Sequence, residues 1–255
     1  MSLQYIAYRF AAEQGSARGK TVRSEGMDEA VAQYLENVSI YKLPPNVGII
    51  GPQFSYRKLV TKPCTYHVLT SVRRCVAYKE GLGDFIAHHY VLTQAEVDAL
   101  CKDELRPTPA GIMLAFEDEG FWQDGSAGQT DAPVSVPALT EFNMPEASRQ
   151  ATWKRLTGHK SLAKTLFTPP YDGKCVIMLP APIDAKEALL LMHESDWLTN
   201  GCGWNHTFTT YGIKTDDIEV TERVVFPSGS SNAAEEPWHR LPILCVNERL
   251  ELAPP

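Results

Sequence analysis

The stretch 54–92 constrains the fold more than any other part of the chain. Residues 54–60, 66–72, 75–78 and 85–92 are rich in β-branched and aromatic side chains, which suit a pleated, half-buried surface. Lys62-Pro63 and Glu80-Gly81-Leu82-Gly83-Asp84 punctuate these runs, so the spacing predicts an antiparallel meander. Alternation over 3–10 predicts a strand ahead of it, and 175–179, 207–211 and 218–226 read as later strands.

Helical spacing appears between these runs. Met27, Ala30, Val31, Tyr34, Leu35 and Val38 form one stripe, predicting a helix over 27–38. Thr93-Gln94-Ala95-Glu96 is a capping box, in which a hydroxyl takes an orphan amide while the carboxylate reaches back, so a short helix should run to Cys101. Pro145 suits a first helical position, with a helix over 146–156 and a helical continuation over 161–167 past Gly158. Asp184-Ala185-Lys186-Glu187 starts another helix, ending near Trp197. Strands come in runs rather than in alternation with helices, which predicts an α+β fold: a mostly antiparallel sheet with helices packed on it.

Loops are expected at 12–26, 48–52 and 229–237. The longest non-periodic stretch, 120–145, is rich in Gly, Ser, Asp, Thr and Pro. It reads as an excursion from a single domain spanning 1–255, with a two-lobed arrangement as the alternative.

Composition narrows the function classes. An apolar fraction of 44% in 255 residues is enough to build a core. A net charge of −7 disfavours a general grip on nucleic acid, where phosphate neutralisation dominates affinity. Two short basic clusters, Arg18, Lys20, Arg23 and Arg73-Arg74, read as solvated charges. No apolar run approaches the roughly 18 residues of a membrane helix. The start Met1-Ser2-Leu3-Gln4-Tyr5 lacks the blocks of an export signal. A cytoplasmic location is therefore expected, with reduced thiols at Cys64, Cys75, Cys101, Cys175, Cys202 and Cys245. None of the six forms a C-x-x-C pair, so no metal site is expected.

Several motifs carry partial chemical signals. Gly15 to Thr21 approaches a phosphate-binding loop, but three residues separate its glycines instead of four and the next helix starts too far away. No cofactor is expected. His88 and His89 lie on a predicted strand and face opposite sides, one buried and one towards solvent, so they cannot share a metal without a bulge. Gly201-Cys202-Gly203-Trp204 surrounds a thiol, yet His206 is too near in sequence to be the distant base of a papain-type site. His193-Glu194 lacks the second histidine of a zincin helix.

The order of motifs adds a further signal. Gly15-Ser16-Ala17-Arg18-Gly19-Lys20, Ser24-Glu25-Gly26-Met27 and Tyr41-Lys42-Leu43-Pro44-Pro45 come first. Phe54-Ser55-Tyr56-Arg57-Lys58, the run from Leu82 to Leu92 and Trp204-Asn205-His206-Thr207-Phe208-Thr209-Thr210-Tyr211 follow. This order, spanning 3–226, resembles the N-terminal domain of the bacterial GTPase-associated protein family. The departure is Gly81-Leu82-Gly83-Asp84, where the family usually has glycine-arginine. The resemblance implies a non-catalytic adaptor or sensor in a bacterial conflict or defence system, with a protein partner such as a GTPase. It singles out His88, His89, Trp204, Thr207, Phe208 and Thr209, which would line one surface if their strands pair. Two alternatives stay open. One is a hydrolase or transferase using His88 or His89 as acid/base, with Cys202 as a further candidate. The other is a structural subunit with apolar surface at Trp122, Trp153 or Trp238.

Overall fold

The meander is the wall on which the rest is built. Strands β4 (Gln53–Val60), β5 (Thr65–Arg74) and β6 (Phe85–Thr93) pair antiparallel, and β1 (Gln4–Phe10) and β2 (Thr21–Arg23) continue the antiparallel pairing beyond β6. On the other side, β9 (Phe208–Thr209) is antiparallel to β4 but parallel to β10 (Arg223–Pro227). Then β7 (Cys175–Leu179) and β11 (Ile243–Cys245) extend the parallel part. The nine-stranded order is β11-β7-β10-β9-β4-β5-β6-β1-β2. A separate parallel pair joins β3 (Ile49–Ile50) to β8 (Ile183–Asp184). This computed structural model describes residues 4–10, 21–24, 26–39, 49–62, 64–74, 85–102, 107–122, 139, 142–198, 202–210, 222–227 and 240–246.

Both faces of the meander are covered. Helix α1 (Glu29–Val38), started by the Asp28 carboxylate accepting from the Ala30 and Val31 amides, lays Met27, Val31, Ala32 and Leu35 on Tyr66, Val68, Val72, Ala87 and Val91. The opposite face carries Leu69, Ile86, Tyr90 and Leu92 into the main core. There they meet α2 (Gln94–Leu100), α3 (Pro109–Asp118), α4 (Ala151–Thr157) and α5 (Ala185–Trp197). The period of two along each strand thus feeds two separate cores. Burial of each large apolar side chain contributes about 1.5–3 kcal/mol. The fold is α+β, with a mostly antiparallel mixed sheet and helices packed on it.

The local expectations meet mixed outcomes. The Thr93–Glu96 capping box forms in full. The helix expected from Pro145 instead begins at Ala151, after Gln150 turns the chain at φ 45°. The Pro145 carbonyl accepts from His193 Nε2 at 2.9 Å, which holds that stretch outside the helix. Beyond Gly158, residues Lys160–Phe167 form a 3-10 helix. Helix α3 has no counterpart in the sequence reading, although Thr108 caps it ahead of Pro109. Short β3 lies within the expected turn at 48–52, and β2 within the expected loop at 12–26. The expected strand at 75–78, the glycine loop at 15–20 and the loop at 229–237 lie outside the described residues, as does most of 120–145.

Helix α4 takes its N-terminal cap from another helix. Gln150 makes no side-chain capping bond; Glu194 of α5 accepts from the Thr152 amide at 2.8 Å and the Trp153 amide at 3.1 Å. Hydrogen bonds to a buried charged acceptor are worth about 1.5–3 kcal/mol, and removing the acceptor strands both amides. Glu194→Ala should therefore lower unfolding stability by about 2 kcal/mol or more in urea titrations, with Glu194→Gln losing less. Equal stability for all three proteins would show that the cap contributes nothing.

Candidate functional site

His88 and His89 do face opposite sides of β6, but helix α1 covers one side and the main core the other, so neither imidazole is the expected solvent-facing one. Both are buried, at 1% and 0% exposure. His89 ties three elements together. Ser39 donates to the Leu35 carbonyl, so its oxygen accepts from His89 Nε2 at 2.6 Å. That leaves His89 Nδ1 to accept from the Thr70 hydroxyl at 2.8 Å. One neutral tautomer satisfies the whole set. Burial depresses both imidazoles to a pKa of about 3, helped by Arg73 near His88 and by His88 and Arg57 near His89.

The late motif is equally internal. Trp204, Thr207, Phe208 and Thr209 are all buried. Strand β9 does not pair with β6, because β4 and β5 lie between them in the sheet. The six residues singled out by the resemblance therefore do not line one surface. Trp204 donates through its indole to the Pro107 carbonyl at 2.9 Å, and its own carbonyl accepts from the Tyr56 hydroxyl at 2.6 Å. Phe208 packs beside Tyr56, with ring centroids 6.1 Å apart, and Thr209 donates to the Phe54 carbonyl at 3.4 Å. Cys202 opens a 3-10 turn, Cys202–Asn205. Gly203 is required there by close approach, since a Cβ at that position would lie 2.6 Å from Asp196 Cβ. Trp122 and Trp153, each 1% exposed, belong to the core and offer no apolar surface, while Trp238 lies outside the described residues.

Polar chemistry that solvent can reach gathers at one end of the sheet, just ahead of β9 and β10. His206 Nδ1 and Glu222 Oε2 lie 3.2 Å apart, with side chains 21% and 37% exposed. The same carboxylate accepts from the Thr207 amide at 3.2 Å. Lys58, half-buried on β4, donates to the Asn205 carbonyl at 3.1 Å. Burial alone would push the Glu222 carboxyl up; the hydrogen bond and charge of His206, the Thr207 amide and Lys58 together hold it below the usual range. Burial lowers the Lys58 ammonium, with Glu222 opposing.

Phe167 packs on the His206 ring at 5.4 Å and carries the Arg223 guanidinium at 4.5 Å. Arg223 is buried against Asp196 Oδ1 at 3.2 Å, where burial raises the Asp196 carboxyl and Arg223 opposes. A carboxylate-oriented imidazole is able to move protons. Among the described residues no three His, Cys, Asp or Glu side chains converge as a metal would need.

In the sequence, Lys58 and His206 stand out only as members of motifs, His206 also as a near neighbour of Cys202, and Glu222 does not stand out at all. Sixteen residues separate His206 from Glu222 and far more separate Lys58 from either, so only strand pairing joins them. The available signal was a polar residue just ahead of each strand, Thr207 before β9 and Glu222 before β10.

The depressed imidazoles give a pH dependence with a definite sign. His88 and His89 bind protons less readily folded, at about 3, than in the unfolded chain, near 6.5. Their contribution is fully present above pH 6.5 and is lost as pH falls towards 3, at up to about 3 kcal/mol per pH unit for the pair. The urea midpoint should fall steeply from pH 7 to pH 5. A flat midpoint across that range would contradict the buried neutral assignment.

Comparison of the chain with protein-family models, with curated proteins and with solved structures found no match.

Proposed function

We propose that this chain is a non-catalytic protein-interaction module, an adaptor of the GTPase-linked kind that its motif order resembles, acting in a bacterial conflict or defence system. The observation that carries this reading is the internal use of the motif residues. His89 ties β6 to β5 and to the end of α1, while Trp204 ties β4 to the Pro107 segment. A catalytic imidazole must come within hydrogen-bond reach of its substrate. An adaptor needs instead a rigid scaffold that changes little on binding. The shared order of motifs then marks a common framework.

The test is capture of the tagged full-length chain from its native host, followed by reassembly of the complex from purified components. A GTPase that is retained and re-forms the complex is the expected result. A chain that elutes alone, and forms no complex with a GTPase encoded beside it, would count against the reading.

A second reading, hydrolase or transferase chemistry, is favoured by the half-exposed His206–Glu222 pair. It transfers the acid/base role from His88 or His89 to His206. On that reading the purified chain cleaves a chromogenic ester or phosphate, and His206→Ala abolishes the activity while leaving thermal unfolding unchanged. Activity that survives this substitution would remove the second reading.

A further inference from the structure

A basic segment stands out on this acidic chain. Between Glu146 and Asp172 there is no acidic residue, while Arg149, Lys154, Arg155, Lys160 and Lys164 all fall within the interval. Setting these five cations aside from a net charge of −7 leaves −12 on the remainder. No two of them beyond Lys154-Arg155 are adjacent, so the interval contains no long basic run.

The structure gathers this interval into a helical hairpin. Helix α4 and the 3-10 helix Lys160–Phe167 turn Trp153, Ala163 and Leu166 into the main core. Lys154, His159, Lys160 and Lys164 are left exposed. The hairpin is firmly seated: the Trp153 indole donates to the Leu191 carbonyl at 3.1 Å and Ser195 Oγ at 3.0 Å, and Arg223 donates to the Leu166 carbonyl at 3.2 Å.

Local stabilisation accounts for part of the charge. Arg149 pairs with Glu146 and Arg155 with Glu187. Lys154 and Arg155 occupy the last turn of α4, and Lys164 that of the 3-10 helix, where a cation complements the helix dipole. Lys160 opens the 3-10 helix, where the dipole opposes a cation. It stands beside exposed His159, and among the described residues no carboxylate forms an ion pair with it.

We propose that the exposed face of this hairpin, centred on Lys154, Lys160 and Lys164, docks an acidic patch on a protein partner; this rests on the interaction-module reading. Charge complementarity selects an anion, and the side chains select its kind. Single-stranded nucleic acid is held by cations interleaved with rings on which bases stack. The rings of this hairpin turn inward: Trp153 is buried, and Phe167 packs against His206 and beneath Arg223. The exposed cations at its centre are lysines, which bind as point charges without the planar fork that matches phosphate. A body at −12 also repels a long polyanion more than a local acidic patch.

The test uses the full-length chain and two charge-matched variants: Lys160→Glu/Lys164→Glu on the face, and Lys62→Glu/Lys102→Glu at exposed lysines elsewhere. Fluorescence anisotropy is measured with a labelled oligoglutamate peptide and a labelled oligouridylate of matched length, across a salt series. Wild type and the Lys62/Lys102 variant should bind oligoglutamate, more weakly as salt rises, and the face variant should bind about tenfold less tightly. Absent binding, equal binding by the two variants, or preference of the wild type for oligouridylate would overturn the proposal. If the wild type captures a GTPase and the face variant captures it equally well, the docking face is refuted and the adaptor reading stands.

Discussion

Four consecutive polar residues, His193, Glu194, Ser195 and Asp196, are all buried on helix α5. Successive side chains on a helix point about 100° apart, so such a run must find partners around nearly the whole circumference. His193 accepts from Thr108 at the start of α3 and donates to the Pro145 carbonyl. Glu194 caps α4, Ser195 accepts from the Trp153 indole, and Asp196 meets Arg223 at the start of β10. Loss of any one partner leaves a buried polar group unpaired, and for a buried ion pair this costs about 3–5 kcal/mol. Helix α5 therefore fixes the positions of α3, α4 and the parallel part of the sheet together.

Close approach reinforces the arrangement. Gly111 leaves room for the His193 ring, since a Cβ there would lie 2.7 Å from Cε1. Gly203 does the same for Asp196. Gly203, beside Cys202, thus has a steric reason in helix α5 passing over it.

This economy of polar groups bears on function. Of the two histidines that draw the eye in the sequence, His89 is a structural tie, and burial keeps both neutral. Charge that solvent can reach includes the His206–Glu222 pair at the sheet end and the basic hairpin beside it. Phe167 joins the two regions, because it ends the hairpin and packs on His206. A partner docked on the hairpin would thus approach the sheet end as well.

The sequence by itself determined the elements whose signals are local. The meander shows through β-branched and aromatic runs, α1 through its apolar stripe, α2 through its capping box, and β7 through a short apolar run. The opposite facing of His88 and His89 follows from strand period alone. Only the tertiary structure decided what covers each face, and so whether an imidazole meets water or a Ser39 hydroxyl. It also decided where α4 begins, because its cap comes from Glu194, more than forty residues away. The parallel half of the sheet and the His206–Glu222–Lys58 cluster were hidden for the same reason. Hydrogen bonds between strands and caps supplied across helices depend on distance in space, and no local pattern of side chains records that distance.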